Sequence, residues 1–232
     1  MPFQTTVNYQ PSPGVVGAFC SANPRASVVA GQGAFLAGSN GANVGNFAWT
    51  DAATNTLVTN SGQGLPRGFV ANELQAMISA WMGEESLNIP AGRPVTLFNE
   101  GDFWMYSSTA NAIGNKVFAS FIDGSVRTAA PGSYFTDSAF TATTSGNTLT
   151  VSAMTSGEIV VGQLITGAGV PANCYVTGFG TGTGGVGTYT VSQSSSISTG
   201  EAMTGTNSIE TKWYCQSAEP ANSLIKASSW GY

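Results

Sequence analysis

The apolar residues of this chain come in short runs, and glycine breaks almost every run. Between residues 25 and 70 the pieces SVVA, AFLAG, VGNFAW and NTLV stand between glycines and other turn formers. Further on the runs alternate. Leu149, Val151 and Ala153 oppose Thr148, Thr150 and Ser152, while Tyr189 and Val191 oppose Thr188, Thr190 and Ser192. A period of two puts one set of side chains on each face of a strand, and glycine breaks at about ten-residue spacing argue for short strands joined by turns. An all-β chain is therefore expected. Its 232 residues, 42% of them hydrophobic, suffice for a core in one large domain or two small ones.

One helix is expected against this background. In 72-NELQAMISAWMG-83, Leu74, Met77, Ile78, Trp81 and Met82 fall on one helical face, with Asn72 to cap the start and Gly83 the end. The Met/Trp stripe reads as a core-facing seam. From Ile89 the period returns to two. In 94-PVTLFNEGDFWMY-106, Val95 and Leu97 oppose Thr96 and Phe98; the Asn99–Asp102 cluster then turns the chain into a strand with Phe103 and Met105 opposed to Trp104 and Tyr106. Residues 115–129 read as a hairpin around Asp123-Gly124, the dipeptide a type I′ turn favours. Residues 208–230 read as another, with Ile209, Thr211, Trp213 and Cys215 on one face and Glu219–Asn222 as the turn.

Composition changes between these hairpins. From about Thr136 to Gly205 the chain is Thr, Ser and Gly, with only Asp137, Glu158 and Glu201 charged. Residues 136–206 are accordingly expected to be a small β-rich module inserted into a discontinuous core of residues 1–135 and 207–232. Insertion at an exposed hairpin tip costs a host domain little. Residues 1–24 carry Pro2, Pro11, Pro13 and Pro24, which forbid a continuous helix. They are read either as an extended arm that reaches a partner or as an edge segment lying on its own domain.

Several chemistries are excluded or disfavoured. There is no histidine, which removes His-based nucleophile arrangements and nearly all zinc patterns. The carboxylate pairs Glu84-Glu85 and Glu100 with Asp102 could in principle cleave a glycosidic bond. The first pair sits at a helix end and the second in a turn, and both read as structural or solvated. Gly180, Gly182 and Gly185 spell G-x-G-x-x-G, the spacing of a dinucleotide loop. Such a loop needs a helix after it to hold the phosphate, whereas VGTYTVSQSSS reads as a strand, so the glycines are expected in a turn. Catalytic, cofactor and metal sites are all expected to be absent. The seven Lys and Arg are scattered and the net charge is −5, which argues against nucleic acid as a partner. No apolar run approaches the length of a spanning helix, and no secretion signal is visible at the N-terminus, so a soluble product of a cytoplasm is expected. Cys20, Cys174 and Cys215 read as buried free thiols, with a Cys20–Cys215 pair left open. Charged residues make up only 8%, against roughly 25% in an average domain; such a surface suits packing against neighbours.

The blocks 3-FQTTVNYQPSPGVVGAFCSANPR-25, 68-GFVANELQAMISAW-81, 88-NIPAGRPVTLFNEGDFWM-105 and 210-ETKWYCQSAEPANSLIKASSW-230 resemble the decoration, or structural cement, proteins of tailed bacteriophages. The run 148–193 resembles a β-rich module of phage virion proteins. Simpler members of the decoration family have a short loop where this chain carries the module. The resemblance implies a jelly-roll-like or related β-barrel core with one short helix, plus the small β-rich inserted domain. It implies a non-enzymatic role on the outer surface of an assembled phage head, tying capsomers together after assembly in the host cytoplasm. Its implied partners are the major capsid protein and further copies of the chain, as homodimer or homotrimer, with no membrane involved. Phe3, Tyr9, Pro11 and Pro13 are the expected capsid contacts. The alternative is a virion adhesin whose inserted module touches host surface glycans; a glycan-degrading enzyme is disfavoured by the missing acid–base constellation.

Overall fold

The computed structural model describes residues 14–73 and 87–231. The first strands are β1 (Ala26–Ser27), β2 (Leu36–Ala37), β3 (Ala42–Asn43), β4 (Phe47–Thr50), β5 (Leu57–Thr59), β6 (Gly68–Val70), β7 (Asn88–Ile89) and β8 (Leu97–Glu100). Then come β9 (Asp102–Ser107), β10 (Lys116–Ser120), β11 (Val126–Ala129), β12 (Ser138–Gly157), β13 (Leu164–Gly167), β14 (Cys174–Phe179), β15 (Gly187–Thr206), β16 (Ser208–Cys215) and β17 (Ser223–Ser228).

An open six-stranded sheet runs β1-β8-β6-β4-β5-β2, and β3 pairs separately with β7. Period-two alternation sorts the six-stranded sheet's two faces by size. Phe47, Trp49, Phe69, Ala71 and Phe98 point into one core, while Ala48, Val70 and Leu97 join Val44, Val58, Ile89 and Val95 in another. Both faces are therefore covered, and the aromatic face meets the barrel.

The barrel closes in the order β10-β11-β9-β17-β16. Its lumen takes Phe103 and Met105 from β9, Val117 and Ala119 from β10, Trp213 and Cys215 from β16, and Ile225 and Ala227 from β17, all alternate positions. β9 and β11 are parallel and meet only at Val126↔Ser107. The N-terminal chain lies along the rest of β9: Gly17 N–H donates to Trp104 O at 2.8 Å, Trp104 N–H to Ala18 O at 2.8 Å, and Cys20 N–H to Asp102 O at 3.1 Å. Phe19 thereby reaches Phe103 and Phe98, at ring separations of 5.1 and 5.4 Å. Edge and tilted pairings of this kind add to the area that the rings bury.

The remaining strands form a sheet ordered β12-β15-β13-β14, with β14 also pairing β15. It has its own cluster of Phe140, Leu149, Val151, Ile165, Val176, Tyr189, Val191 and Met203. β12 doubles back at Gly146, whose φ is 62°. Ser152 Oγ then donates to Thr141 O at 3.1 Å, and Gly157 returns so close to Asp137 that a Cβ there would lie 1.9 Å from Asp137 O.

Two expectations are corrected, and one turn gains a role between sheets. The jelly-roll-like barrel core with one short helix is replaced by an all-β fold with one closed five-stranded barrel and several open sheets; no helix occurs among the described residues. Most of the segment assigned to that helix, 74–83, lies outside the described residues, and Asn72 and Glu73 are not helical. The turn at Asn99–Asp102 joins strands of different sheets. β8 pairs with β1 and β6 while β9 pairs with β17 and β11, so Gly101, with φ 138°, passes the chain from the open sheet into the barrel. The β10–β11 hairpin forms, but through a wider turn than type I′. Pairing ends at Ala119↔Val126, and Gly124 N–H donates to Ser120 O at 3.0 Å. The wider turn lets Gly124 O accept from Phe47 N–H at 2.8 Å, which couples the hairpin tip to β4.

Candidate functional site

The glycine-rich loop between β14 and β15 wraps around one phenol. Tyr189 Oη donates to Gly185 O at 2.6 Å and accepts from Gly184 N–H at 3.0 Å. Gly182 lies flat on the ring, where a Cβ would come within 2.5 Å of Tyr189 Cζ. Thr181 N–H donates to Thr188 Oγ1 at 2.9 Å and Thr188 N–H to Thr181 Oγ1 at 3.0 Å. Gly180 N–H donates to Thr188 O at 2.9 Å. A phosphate cradle needs several N–H groups free and convergent; here those of Gly180, Thr181 and Gly184 are spent inside the loop. The strand β15 follows, as the sequence indicated.

The carboxylates have separate structural tasks. Glu100 pairs with Lys212, 3.3 Å away. Asp102 is buried and its Oδ2 accepts from Ser21 Oγ and Asn23 Nδ2, each at 2.6 Å. Burial pushes the Asp102 carboxyl up, but hydrogen bonding by Ser21, Ser228 and Asn23 outweighs it and holds the group below the usual carboxylate range. The two therefore do not act as an acid–base pair on a common substrate. Glu84 and Glu85 lie outside the described residues. Among the described residues no group of three or more His, Cys, Asp or Glu is arranged to hold a metal ion, and no helix is long and apolar enough to cross a membrane. All three cysteines are free thiols. Burial pushes Cys20 and Cys215 up to about 11, with the Asp102 charge adding to the effect on Cys20.

What Asp102 does is anchor the root of the N-terminal segment. Ser21 and Asn23 are tied to its carboxylate, Arg25 stacks 3.8 Å above the Phe19 ring, and Trp230 Nε1 donates to Pro24 O at 3.1 Å. Gly14, the first described residue, lies against the Trp104 indole, with its Cβ direction 2.1 Å from Trp104 Cδ1. Phe3, Tyr9, Pro11 and Pro13 lie outside the described residues.

The exposed surface carries single apolar side chains. Val15, Leu65, Tyr134, Val186 and Trp230 are all at least half exposed. A groove of about 370 Å³ runs where the 61–63 loop, the hairpin tip at Phe121-Ile122 and the four-stranded sheet at Val161, Gly162 and Thr177 meet. Ile122 and Val161 are exposed within it.

Tyr175 and Asp137 are among the contacts that seat the four-stranded sheet on the rest of the chain, with Leu164 also packed against the barrel core, and sequence pattern did not reveal their role. Tyr175 packs edge-on to Phe121 at 5.4 Å and accepts from Gly64 N–H at 3.1 Å. Asp137 Oδ1 pairs with Arg127 at 2.7 Å. The hint was that Asp137 is one of only three charged residues in a stretch of about seventy.

No curated protein gives a significant match to the chain. A family model does, described as the XM1 gp53 minor capsid protein and matching residues 3–229. That span takes in the barrel, the open sheets and the four-stranded sheet. With the spent glycine loop and the separately occupied carboxylates, it gives the chain a structural part in a phage virion: the protein belongs to the XM1 gp53 minor capsid protein family.

Proposed function

We propose that this minor capsid protein is a decoration, or cement, protein that binds the outer surface of the assembled phage head and stabilises contacts between capsomers without catalysis. The observation that carries the reading is the family match over residues 3–229. In this reading residues 1–135 and 207–232 are the capsid-binding core, 1–24 its arm and 136–206 a surface module. The partners are the major capsid protein and further copies of the chain, as a homodimer or homotrimer. A ligand that binds the closed shell but not its separated subunits stabilises the shell by its binding free energy, and symmetry multiplies the effect. The low charge supports this, because pressing such a surface against a neighbour desolvates few ions. An extended arm can add main-chain hydrogen bonds to a neighbour's sheet edge, with Phe3, Tyr9, Pro11 and Pro13 as its contacts.

The test uses heads lacking the protein and purified chains added back. Deleting residues 1–12 is expected to weaken attachment; deleting 138–205 is expected to leave it nearly intact. Attachment lost through the second deletion alone, in a chain that still folds, overturns the assignment of the core as the binding part.

A second reading, a virion adhesin whose module contacts host glycans, draws on one feature. Thr148, Thr150, Thr177 and Thr190 are exposed in neighbouring registers on β12, β14 and β15, beside exposed Phe179. This gives an uncharged face of hydroxyls with one ring. Binding of the chain to a glycan array through this face favours the adhesin; no binding leaves the cement reading alone.

A further inference from the structure

The four-stranded sheet leaves the barrel after β11 and returns at β16. Two strands passing through a neck would ordinarily leave a hinge, since connections between units are where relative motion is expected. Here the neck is filled. Asp137 N–H donates to Gly205 O at 2.9 Å. Its Oδ2 accepts from Asn207 N–H at 2.7 Å, so one side chain grips the returning strand. Its Oδ1 meets Arg127 Nη1, also at 2.7 Å, so the same carboxylate grips β11. Arg127 is itself held flat, 3.8 Å over the Phe135 ring, and Phe135 stands edge-on to Phe118 of β10 at 5.1 Å. The line Phe118–Phe135–Arg127–Asp137–Asn207 thus runs from the barrel wall across the neck without a gap.

The ion pair is mostly shielded: the Arg127 and Asp137 side chains are 25% and 16% exposed. Charge-assisted hydrogen bonds in such a setting are stronger and more directional than surface pairs. Gly157 closes the neck from behind, with φ 67° and no room for a Cβ against Asp137 O. Gly205 is crowded by side chains, its Cβ direction 2.3 Å from Gln163 Cδ. On the far side Tyr175, bonded to Gly64 N–H, is a second point of attachment. Swinging the sheet about the neck breaks one contact or the other.

We propose that Asp137 is a latch that fixes the four-stranded sheet at one angle to the barrel, so that residues 136–206 form a rigid outrigger rather than a tethered one. This rests on reading 136–206 as a module, and goes beyond the cement role in stating how the module is held. Were the protein seated on a shell, each copy would present the module in the same orientation.

The test measures residual dipolar couplings and amide exchange on the purified full chain. For the unaltered chain, barrel and sheet amides are expected to fit one alignment tensor; two tensors overturn the latch. In Asp137→Ala, where only the Tyr175 side still holds the sheet, the latch reading requires that this contact open intermittently, and the two sets of amides are expected to separate into two tensors. The Asn207 amide exchanges faster, while β9, β12 and β17 stay protected. One tensor with protection intact in that variant also overturns the latch. Protection lost together in barrel and sheet shows a single cooperative body and overturns the module reading instead. Should Asp137→Ala not fold, Arg127→Gln leaves Asp137 bonded to Asn207 but frees it from β11; it is expected to give two tensors, and one tensor sinks the proposal.

Discussion

Gly124 shows how much one residue can demand. Its φ of 69° lies where side chains are strained, and a Cβ would sit 2.0 Å from Phe47 O. Gly124→Ala is expected to cost roughly 3 kcal/mol or more, adding a backbone collision to the ~1–2 kcal/mol of a left-handed conformation. The check is a lower urea midpoint with an unchanged m-value. The Asp-Gly dipeptide announced a turn, yet nothing local announced that β4 would press on it, because Phe47 is distant in sequence. The thiols carry a pH prediction. Burial raises Cys20 and Cys215 from 9.0 to about 11 in the folded chain. Between those values the unfolded chain loses thiol protons that the folded chain keeps. Stability is therefore complete below pH 9 and falls as the pH rises towards 11. Denaturation midpoints that hold steady across this window for the native chain, or that fall equally in a Cys20→Ser, Cys215→Ser variant, contradict the assignment.

At the scale of the element, local pattern read well and partnership read poorly. The alternation of Phe103 and Met105 against Trp104 and Tyr106 was legible, because period two decides which side is buried whatever the neighbouring strand. The pairing of β9 with β17 was not, since hydrogen-bond partners far apart in sequence leave no periodic trace. The glycine loop shows the same division. Its spacing was visible and its turn role followed from the strand behind it, but the wrapping of Tyr189 was a tertiary fact. Tyr189→Phe removes a donor and an acceptor together and leaves Gly184 N–H without its partner. A loss of about 1–3 kcal/mol is expected, with faster amide exchange confined to the 180–187 loop. Unchanged exchange there means that the ring alone shapes the loop. Of the candidate contacts, the N-terminal Phe3, Tyr9, Pro11 and Pro13 came from resemblance rather than pattern. The Asp102 anchor that roots the segment behind them was missed, because an Asp in a turn ordinarily bonds its own neighbours.

For the whole molecule, the scarcity of charge has a testable meaning. Attachment through uncharged surface should respond little to ionic strength, since screening acts on exposed ions. Retention on heads is expected to change less than about threefold between roughly 0.05 and 0.5 M salt, well short of the steep loss seen when charge pairs steer binding. A steep salt dependence points instead to Lys and Arg contacts.

The neck has a consequence for how such chains change over generations. Asp137 and Gly205 are joined by a 2.9 Å hydrogen bond, so the two ends of the 136–206 stretch lie about one strand spacing, roughly 5 Å, apart. Recombination that swaps the DNA between these points needs a replacement whose ends are equally near and that covers Phe121 as Tyr175 does. The barrel's own pairings, β10 with β11 and β16 with β17, would be untouched. On the proposed reading of residues 136–206 as a module, such a swap would change the four-stranded sheet and leave the barrel strands in place.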